Sequence, residues 1–363
     1  MSAPTVVAPV AEPNADAAAF ASRGRWVRAG KVALRWVLAI LGAMVIFSIL
    51  ISFQGASPLD VFHDMWVSTF QRPRSLTEIF IRMAPIALAA LAVVVPARAG
   101  MMNVGGEGQV IVGAVGAAGV GLATDQSLPG GIVMALMAAG AILAGAAWAG
   151  IAALLRIVFN VNEAVTTLLL NFVALDLLLF LIYQPWRESA TAQPSTREVA
   201  TSAQLPTLGS TGVTVGIVIA VGAAVVLAWA LARTRWGFRL GVVGGNAEAA
   251  RRAAMPVTAL LLSALLVGGA LAGLAGWIEL TAVELKLRPG FGTQIGYIGF
   301  LASWLARHRP LPVLVAAFVL AALSVTADSL QLDSGLPAAT INILTALLLI
   351  AVLGWTTMKG KKT

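Results

Sequence analysis

Long runs of apolar residues separated by short polar breaks dominate the pattern along this chain. They fall at about 32–53, 77–95, 107–123, 129–155, 162–183, 212–233, 257–280, 291–306, 311–328 and 336–355. Most are close to the roughly 20 residues a helix needs to cross a ~30 Å hydrocarbon core. The pattern predicts an all-α polytopic membrane protein of about ten transmembrane helices. The runs 107–123 and 291–306 are short and glycine-rich, and read as broken or re-entrant segments. Residues 1–31 read as a disordered cytoplasmic tail, 32–355 as the transmembrane domain, and 356–363 as a basic cytoplasmic tail.

Composition supports the lipid setting. Hydrophobic residues make up 59% of the 363 and charged residues 11%, against about 45–50% and about 25% in soluble domains. Mean hydropathy is +0.90. So little charge cannot clothe a water-facing surface, and the bilayer is the expected solvent.

Several chemistries fall away. Cysteine is absent, which excludes disulfides, thiolate metal sites and a cysteine nucleophile. The two histidines, His63 and His308, are too far apart in sequence to suggest a metal pair. The chain holds no G-x-x-x-x-G-K-[ST] loop, so it is not expected to hydrolyse nucleotide itself. With no converging Ser/His/Asp set and no H-E-x-x-H, no catalytic residue, metal or cofactor is expected in this chain.

The net charge of +8 is explained by topology, without nucleic acid. Ten spans put both termini on one side, and 17 of the 24 Lys and Arg residues then fall on that side. The basic side is cytoplasmic by the positive-inside rule, so both termini are expected inside. The external loop 184–210, with Pro185, Pro194 and Pro206, reads equally as a solvated connector or a cover over the outer mouth. In the cytoplasmic loop 234–256, Gly244-Gly245-Asn246 supplies a turn, and helix formers run from Ala247 to Ala254 before Pro256. This predicts a short amphipathic helix outside the membrane, either a contact element or a plain helix at the headgroup boundary.

The stretch Met101-Met102-Asn103-Val104-Gly105-Gly106-Glu107-Gly108-Gln109 breaks an apolar run with three glycines in four residues. Irregular backbone and a carboxylate at membrane depth survive only beside protein or a water-filled cavity. Asn103, Glu107 and Gln109 are therefore expected to face a pathway or another helix. Glu107 has a structural alternative, as a first-turn charge at a helix N-terminus. A second break lies at Pro289-Gly290-Phe291-Gly292-Thr293-Gln294-Ile295-Gly296, entered from the opposite side. Paired breaks of opposite orientation are the expected mark of an inverted repeat with a solute path between the halves. Asp176, deep in the fifth run, is a functional candidate or a buried, hydrogen-bonded carboxylate. The run 268–276, with Gly269 and Gly273 as G-x-x-x-G, reads as helix-packing scaffold.

Four stretches resemble the permease subunits of ATP-binding-cassette importers for ribose-type sugars and nucleosides. They are NVGGEGQ (103–109), NEAVTTLLLN (162–171), GNAEAARRAAMP (245–256) with Ser263 and the 268–276 run, and GFGTQIGYIGFLASWLA (290–306). The resemblance covers about 80–355. The E-G-Q form and the long 184–210 loop look closer to the nucleoside branch. Ala254-Met255-Pro256 and Ser303-Trp304 depart from the family pattern, the first in the coupling loop and the second at a pore-wall position.

The resemblance implies a transport subunit of a bacterial inner membrane that moves a nucleoside, or a nucleobase-like solute, inward by alternating access. Implied partners are a cassette ATPase using ATP and Mg, a second permease that is a different chain, and an extracytoplasmic solute-binding lipoprotein. Asn246, Glu248, Ala249, Ala250 and Arg251 are the expected ATPase contact. Asn103, Glu107, Gln109, Asn171, Asp176 and Gln294 are placed beside the path, with Phe291 and Tyr297 stacking on a base or sugar. The alternatives are a permease for ribose or another simple sugar, and an ion-coupled secondary transporter working through Asp176, Glu163 or Glu107.

Overall fold

A helix apolar on every side belongs in the middle of a bundle, and residues 83–96, within the longer segment 75–98, meet that description. In the computed structural model this segment is one helix, α3 (Ser75–Arg98), and every residue from Met83 to Pro96 is buried. The structure describes residues 41–124, 128–189 and 191–333, with isolated positions at 38, 339–340, 343–344 and 346–347. The tail 1–31, the start of the first run, most of the run 336–355 and the tail 356–363 lie outside the described residues.

The chain divides into two units, residues 1–58 with 346–363 and residues 59–345. In the first, α1 (Leu41–Phe53) is helical, and the Ser48 and Ser52 hydroxyls bond carbonyls one turn back.

The second unit holds α2 (Pro58–Trp66) from Leu59 onward, a π-helical turn at Val67–Gln71, and then α3. There follow α4 (Gly106–Ala123), α5 (Gly130–Phe159), α6 (Glu163–Tyr183) and α7 (Gly216–Arg233). Two short helices, α8 (Arg235–Gly245) and α9 (Ala247–Arg252), lead to α10 (Val257–Ile278), which ends in a π-helical stretch at Glu279–Glu284. Last come α11 (Ile295–Leu305) and α12 (Pro310–Asp333). α3 packs against α10, α11, α12 and α7, while α10 also lies on α5 and α4.

Among the described residues, seven helices are long and apolar enough to cross a membrane, and α11 is a shorter apolar helix. The structure therefore supports an all-helical polytopic chain with seven such spans, a coarser result than ten helices. The 107–123 run is a full-length helix, so glycine density did not shorten it. The 291–306 run is short because residues 289–294 form turns, with Gly290 and Gly292 at positive φ.

Small residues set the closest helix contacts, as the 268–276 run predicts. Gly269 and Gly273 of α10 press against Gly145, Ala149 and Ala141 of α5, where an added Cβ would collide with backbone. Without a hydrophobic drive between helices in lipid, such close approach is what holds a bundle together.

Candidate functional site: a glycine-broken junction between helices

Two helix N-termini meet inside the second unit. α4 starts at Gly106 and α11 at Ile295, and a Cβ at Gly106 would touch the Gly296 carbonyl oxygen at 3.4 Å. A Cβ at Gly296 would run into the Glu107 and Gly106 backbone. Only glycine permits this approach.

Each N-terminus presents unbonded N–H groups and a positive dipole end, and Glu107 answers that of α11. Its carboxylate accepts the Gln294 N–H at 2.6 Å and the Gly296 N–H at 2.8 Å. Burial within the bundle strengthens both bonds. Glu107 lies in the first turn of its own helix α4, as the structural alternative has it, while its carboxylate is spent on the N-terminus of α11.

Residues 101–105 are not helical, so their amides need other acceptors. One stripe of α6, at intervals of four residues, supplies two of them and a third for the first turn of α4. Glu163 Oε1 accepts Met102 N–H at 3.2 Å, Thr167 Oγ1 accepts Val104 N–H at 3.2 Å, and Asn171 Oδ1 accepts Gly108 N–H at 2.8 Å. Asn171 also donates to the Val104 carbonyl at 3.0 Å and to the Tyr297 hydroxyl at 3.3 Å. Glu163 in turn pairs with Arg156 at 2.7 Å, and Asn162 caps α6 through the Ala164 N–H at 2.9 Å. Asn103 and Gln109 exchange two amide hydrogen bonds of 2.9 Å each. The Asn103 carbonyl oxygen also accepts Gly105 N–H at 3.1 Å.

The residues expected beside a path therefore separate into two groups. Asn103, Glu107, Gln109, Asn171 and Phe291 are buried, and the four polar ones spend their hydrogen bonds holding the junction together. Asp176, Gln294 and Tyr297 are exposed. Tyr297 joins the groups, since its hydroxyl reaches Asn171 while 37% of the residue is open. Thr167 and Arg156 complete the junction and were not singled out from the sequence, and Gly296 was named there only as part of the second break. The four-residue step Glu163–Thr167–Asn171 was the legible signal for the first.

The outward face of α6 is the stripe Val165, Leu169, Phe172, Asp176, Phe180 and Tyr183, all exposed. Asp176 has no hydrogen bond or ion pair with any described residue. A free carboxylate midway along a spanning helix cannot face hydrocarbon cheaply.

At one end of the bundle, α8 buries Gly237, Leu240 and Val243, a helix not expected inside the 234–256 loop. Gly100 after α3 sits against Gly244 of α8, 3.2 Å from an added Cβ. The helix expected over 246–254 is α9, only six residues long, capped by Asn246 accepting Ala249 N–H at 2.9 Å. Asn246, Glu248, Ala249 and Arg251 are exposed, whereas Ala250 is fully buried and faces inward. Glu248 pairs with Arg251 at 3.6 Å and Arg252 at 3.3 Å.

At the other end, the 184–210 loop is tied down. Thr196, Val199 and Leu205 donate backbone N–H bonds to the Leu287, Leu285 and Thr281 carbonyls at 3.0, 2.8 and 3.1 Å. It covers the end of α10 and roofs a cavity of about 370 Å³.

Residues 75–353 match the family described as the branched-chain amino acid transport system permease component. That match spans the buried α3, the braced junction and the α8–α9 element together. The chain belongs to this permease family. It is a transport component of the ATP-binding-cassette type, not an enzyme, and its setting is the inner membrane, crossed several times. It is 34% identical to the glucose ABC transporter permease protein TsgB13 of Haloferax volcanii, over 86% of this chain and 85% of that one. It is 29% identical to the guanosine ABC transporter permease protein NupP of Bacillus subtilis, over 87% and 91%. The nucleoside ABC transporter permease protein NupB of Lactococcus lactis is 25% identical, over 89% and 90%.

Proposed function

We propose that this permease carries a nucleoside inward along the outward stripe of α6, with Asp176, Gln294 and Tyr297 facing the solute. The observation that carries this reading is Asp176, an unpartnered carboxylate on an otherwise apolar exposed face. A hydroxyl-rich solute in an aqueous path satisfies that carboxylate, and lipid does not. Asn103, Glu107, Gln109 and Asn171 act one layer behind, fixing the junction on which Tyr297 stands. Phe291 is a packing residue in this conformation.

The complete transporter in this reading has ten spans arranged as an inverted repeat, with both termini cytoplasmic. The two opposed breaks that meet at Gly106 and Gly296 support the repeat. A second, different permease chain faces α6, and a solute-binding lipoprotein delivers the solute from outside. A separate ATPase, which uses ATP and Mg, docks on the exposed side chains of α9 (Asn246, Glu248, Ala249 and Arg251). Because Gly100 seats directly on Gly244, movement of α8–α9 is transmitted to the end of α3. Rocking of the bundle then switches access around the path.

The nucleoside solute rests on the guanosine and nucleoside permeases among the relatives. A simple sugar is the second reading, supported by the more similar glucose permease. Uptake of labelled uridine, adenosine, ribose and glucose by a deletion strain, with and without plasmid rescue, separates them. Loss of nucleoside uptake alone, restored by the plasmid, is expected. Loss of ribose or glucose uptake alone would move the chain to the sugar reading.

A further inference from the structure

A second polar cavity, of about 330 Å³, lies between α3, the π-helical end of α10, the 288–293 connection and α12. Its walls carry Arg82, Glu279, Glu284, Arg288 and Asp328, with Thr293 beside them. Four of the five charges are already paired. Arg82 Nη1 meets Asp328 at 2.6 Å, its Nε meets Glu78 at 2.8 Å, and Arg288 meets Glu284 at 2.6 Å.

Glu279 is left over. It is 5% exposed and lines the cavity, yet it accepts no hydrogen bond from any described residue. Buried polar groups are almost always satisfied, and a carboxylate is the costliest to leave bare. The donors must come from what fills the cavity.

The filling is constrained by charge and size. Both guanidiniums are already committed to carboxylates, so the cavity offers no free cation to hold a phosphate or carboxylate on the ligand. A guanidinium has five N–H donors in a fixed fork, and the contacts of Arg82 engage only two of its nitrogens, so donors remain for ligand oxygens. The volume is at the small end of ligand cavities, enough for one sugar ring. An acceptor between partly committed arginines suits adjacent hydroxyls, which donate to the carboxylate and accept from the guanidiniums. No described cluster of acidic residues and histidines has the make-up of a metal site. The cavity wall includes Gly290, Gly292 and Thr293, directly before Gln294, whose N–H is held by Glu107. Occupancy thus bears on the braced junction itself.

We infer that this cavity is a ring-hydroxyl subsite, in which Glu279 accepts hydrogen bonds from the vicinal diol of an uncharged sugar or nucleoside, with Arg82 and Arg288 orienting the ring. This rests on the permease reading above and extends it to a site apart from the α6 stripe. It further makes the chain select against phosphorylated forms of its solute.

The test is equilibrium binding to the full-length chain in lipid nanodiscs, with labelled ribose, uridine, 2′,3′-dideoxyuridine and ribose 5-phosphate as probes. Ribose or uridine is expected to bind, with the dideoxy and phosphate forms at least tenfold weaker. Free sugar and nucleoside are told apart by which of the two binds tighter. Glu279→Leu is expected to weaken diol binding at least tenfold, and Glu279→Gln, which keeps an acceptor oxygen, to weaken it less. Thermal midpoints of both variants report whether folding is intact; if Glu279→Leu does not fold, Glu279→Gln and the analogue series decide. Equal binding of uridine and its dideoxy analogue overturns the proposal, as does diol binding unchanged in both variants or absent from the wild type. Glu279-dependent binding in a chain whose deletion leaves all uptake normal would sink the transport reading and leave the subsite standing.

Discussion

Glu107 and Gly296, 189 residues apart in the chain, meet through a 2.8 Å hydrogen bond from the Gly296 N–H to the Glu107 carboxylate. The Gln294 N–H joins the same carboxylate at 2.6 Å. One side chain thereby closes the N-terminus of a helix formed by the far end of the sequence. Removing it leaves two amides without that acceptor, the Gly296 one buried within the bundle. Glu107→Ala is expected to cost about 2 kcal/mol or more. This is read as a drop of several degrees in the thermal midpoint of detergent-purified protein. Glu107→Gln keeps one acceptor oxygen and is expected to fall about half as far. An unchanged midpoint for Glu107→Ala would contradict the cap.

The same contact makes Gly296 intolerant of any side chain. Gly296→Ala drives a Cβ into the Glu107 backbone, and neither helix end can retreat without giving up the cap. Folded protein recovered from membranes is expected to fall sharply. Gly222→Ala in α7, with nothing within 4 Å of an added Cβ, is expected to be neutral or mildly stabilising, by up to about 1 kcal/mol. Equal yields from the two variants would count against the close approach.

Thr167→Val keeps the shape of the α6 stripe but removes the acceptor for Val104 N–H. A loss of about 1–3 kcal/mol follows for a part-buried amide left unpaired. Hydrogen exchange should show the matching local effect, faster exchange at Val104 than at amides in mid-α3. If Val104 exchanges no faster, the stripe is not what holds the break.

His308 offers a pH test away from the junction. It sits in the Arg307–Arg309 turn, with Arg307 and His308 both at φ 53°, and its Nδ1 lies 2.9 Å from the Ser303 hydroxyl. Burial disfavours the charged imidazolium and lowers its pKa below the usual value. The folded chain then binds fewer protons here than the unfolded one, so stability declines as pH falls through the unfolded pKa of about 6.5. His308→Gln is expected to flatten the decline in thermal midpoint between about pH 7 and 5.5. An identical slope in the variant would rule His308 out as its source.

How much of this was legible in the sequence differs from element to element. Apolar runs located α3, α5, α6, α7, α10 and α12 because lipid enforces helices wherever such runs occur. α8 was missed because Gly237, Gly241, Gly244 and Gly245 mask a stripe of only three inward residues, Gly237, Leu240 and Val243. The glycine-rich signature marked the junction correctly as special. What it could not give was direction. Asn103, Glu107 and Gln109 read equally as path-facing or helix-facing, and only their partners, 187 residues away for Glu107, decide for the interior. Asp176 and Asn171 lie five residues apart in one helix, yet they face opposite ways, one bare and one fully engaged. The buried face of α6 carries Glu163, Thr166, Thr167 and Asn171 and is more polar than the exposed one, so hydrophobic periodicity alone did not distinguish them.

The central claim is that the outward stripe of α6 meets an aqueous solute path rather than lipid. The chain has no cysteine, so single substitutions at Phe172, Asp176 and Phe180 can be probed against a silent background, with Ala174 and Leu178 as inward controls. A membrane-impermeant maleimide is applied to the assembled transporter, with and without uridine. The account expects labelling at Asp176→Cys and at least one neighbour on its stripe, protection by uridine, and none at the controls. An Asp176→Cys chain at normal membrane levels that resists the reagent throughout, while uptake proceeds, would contradict it.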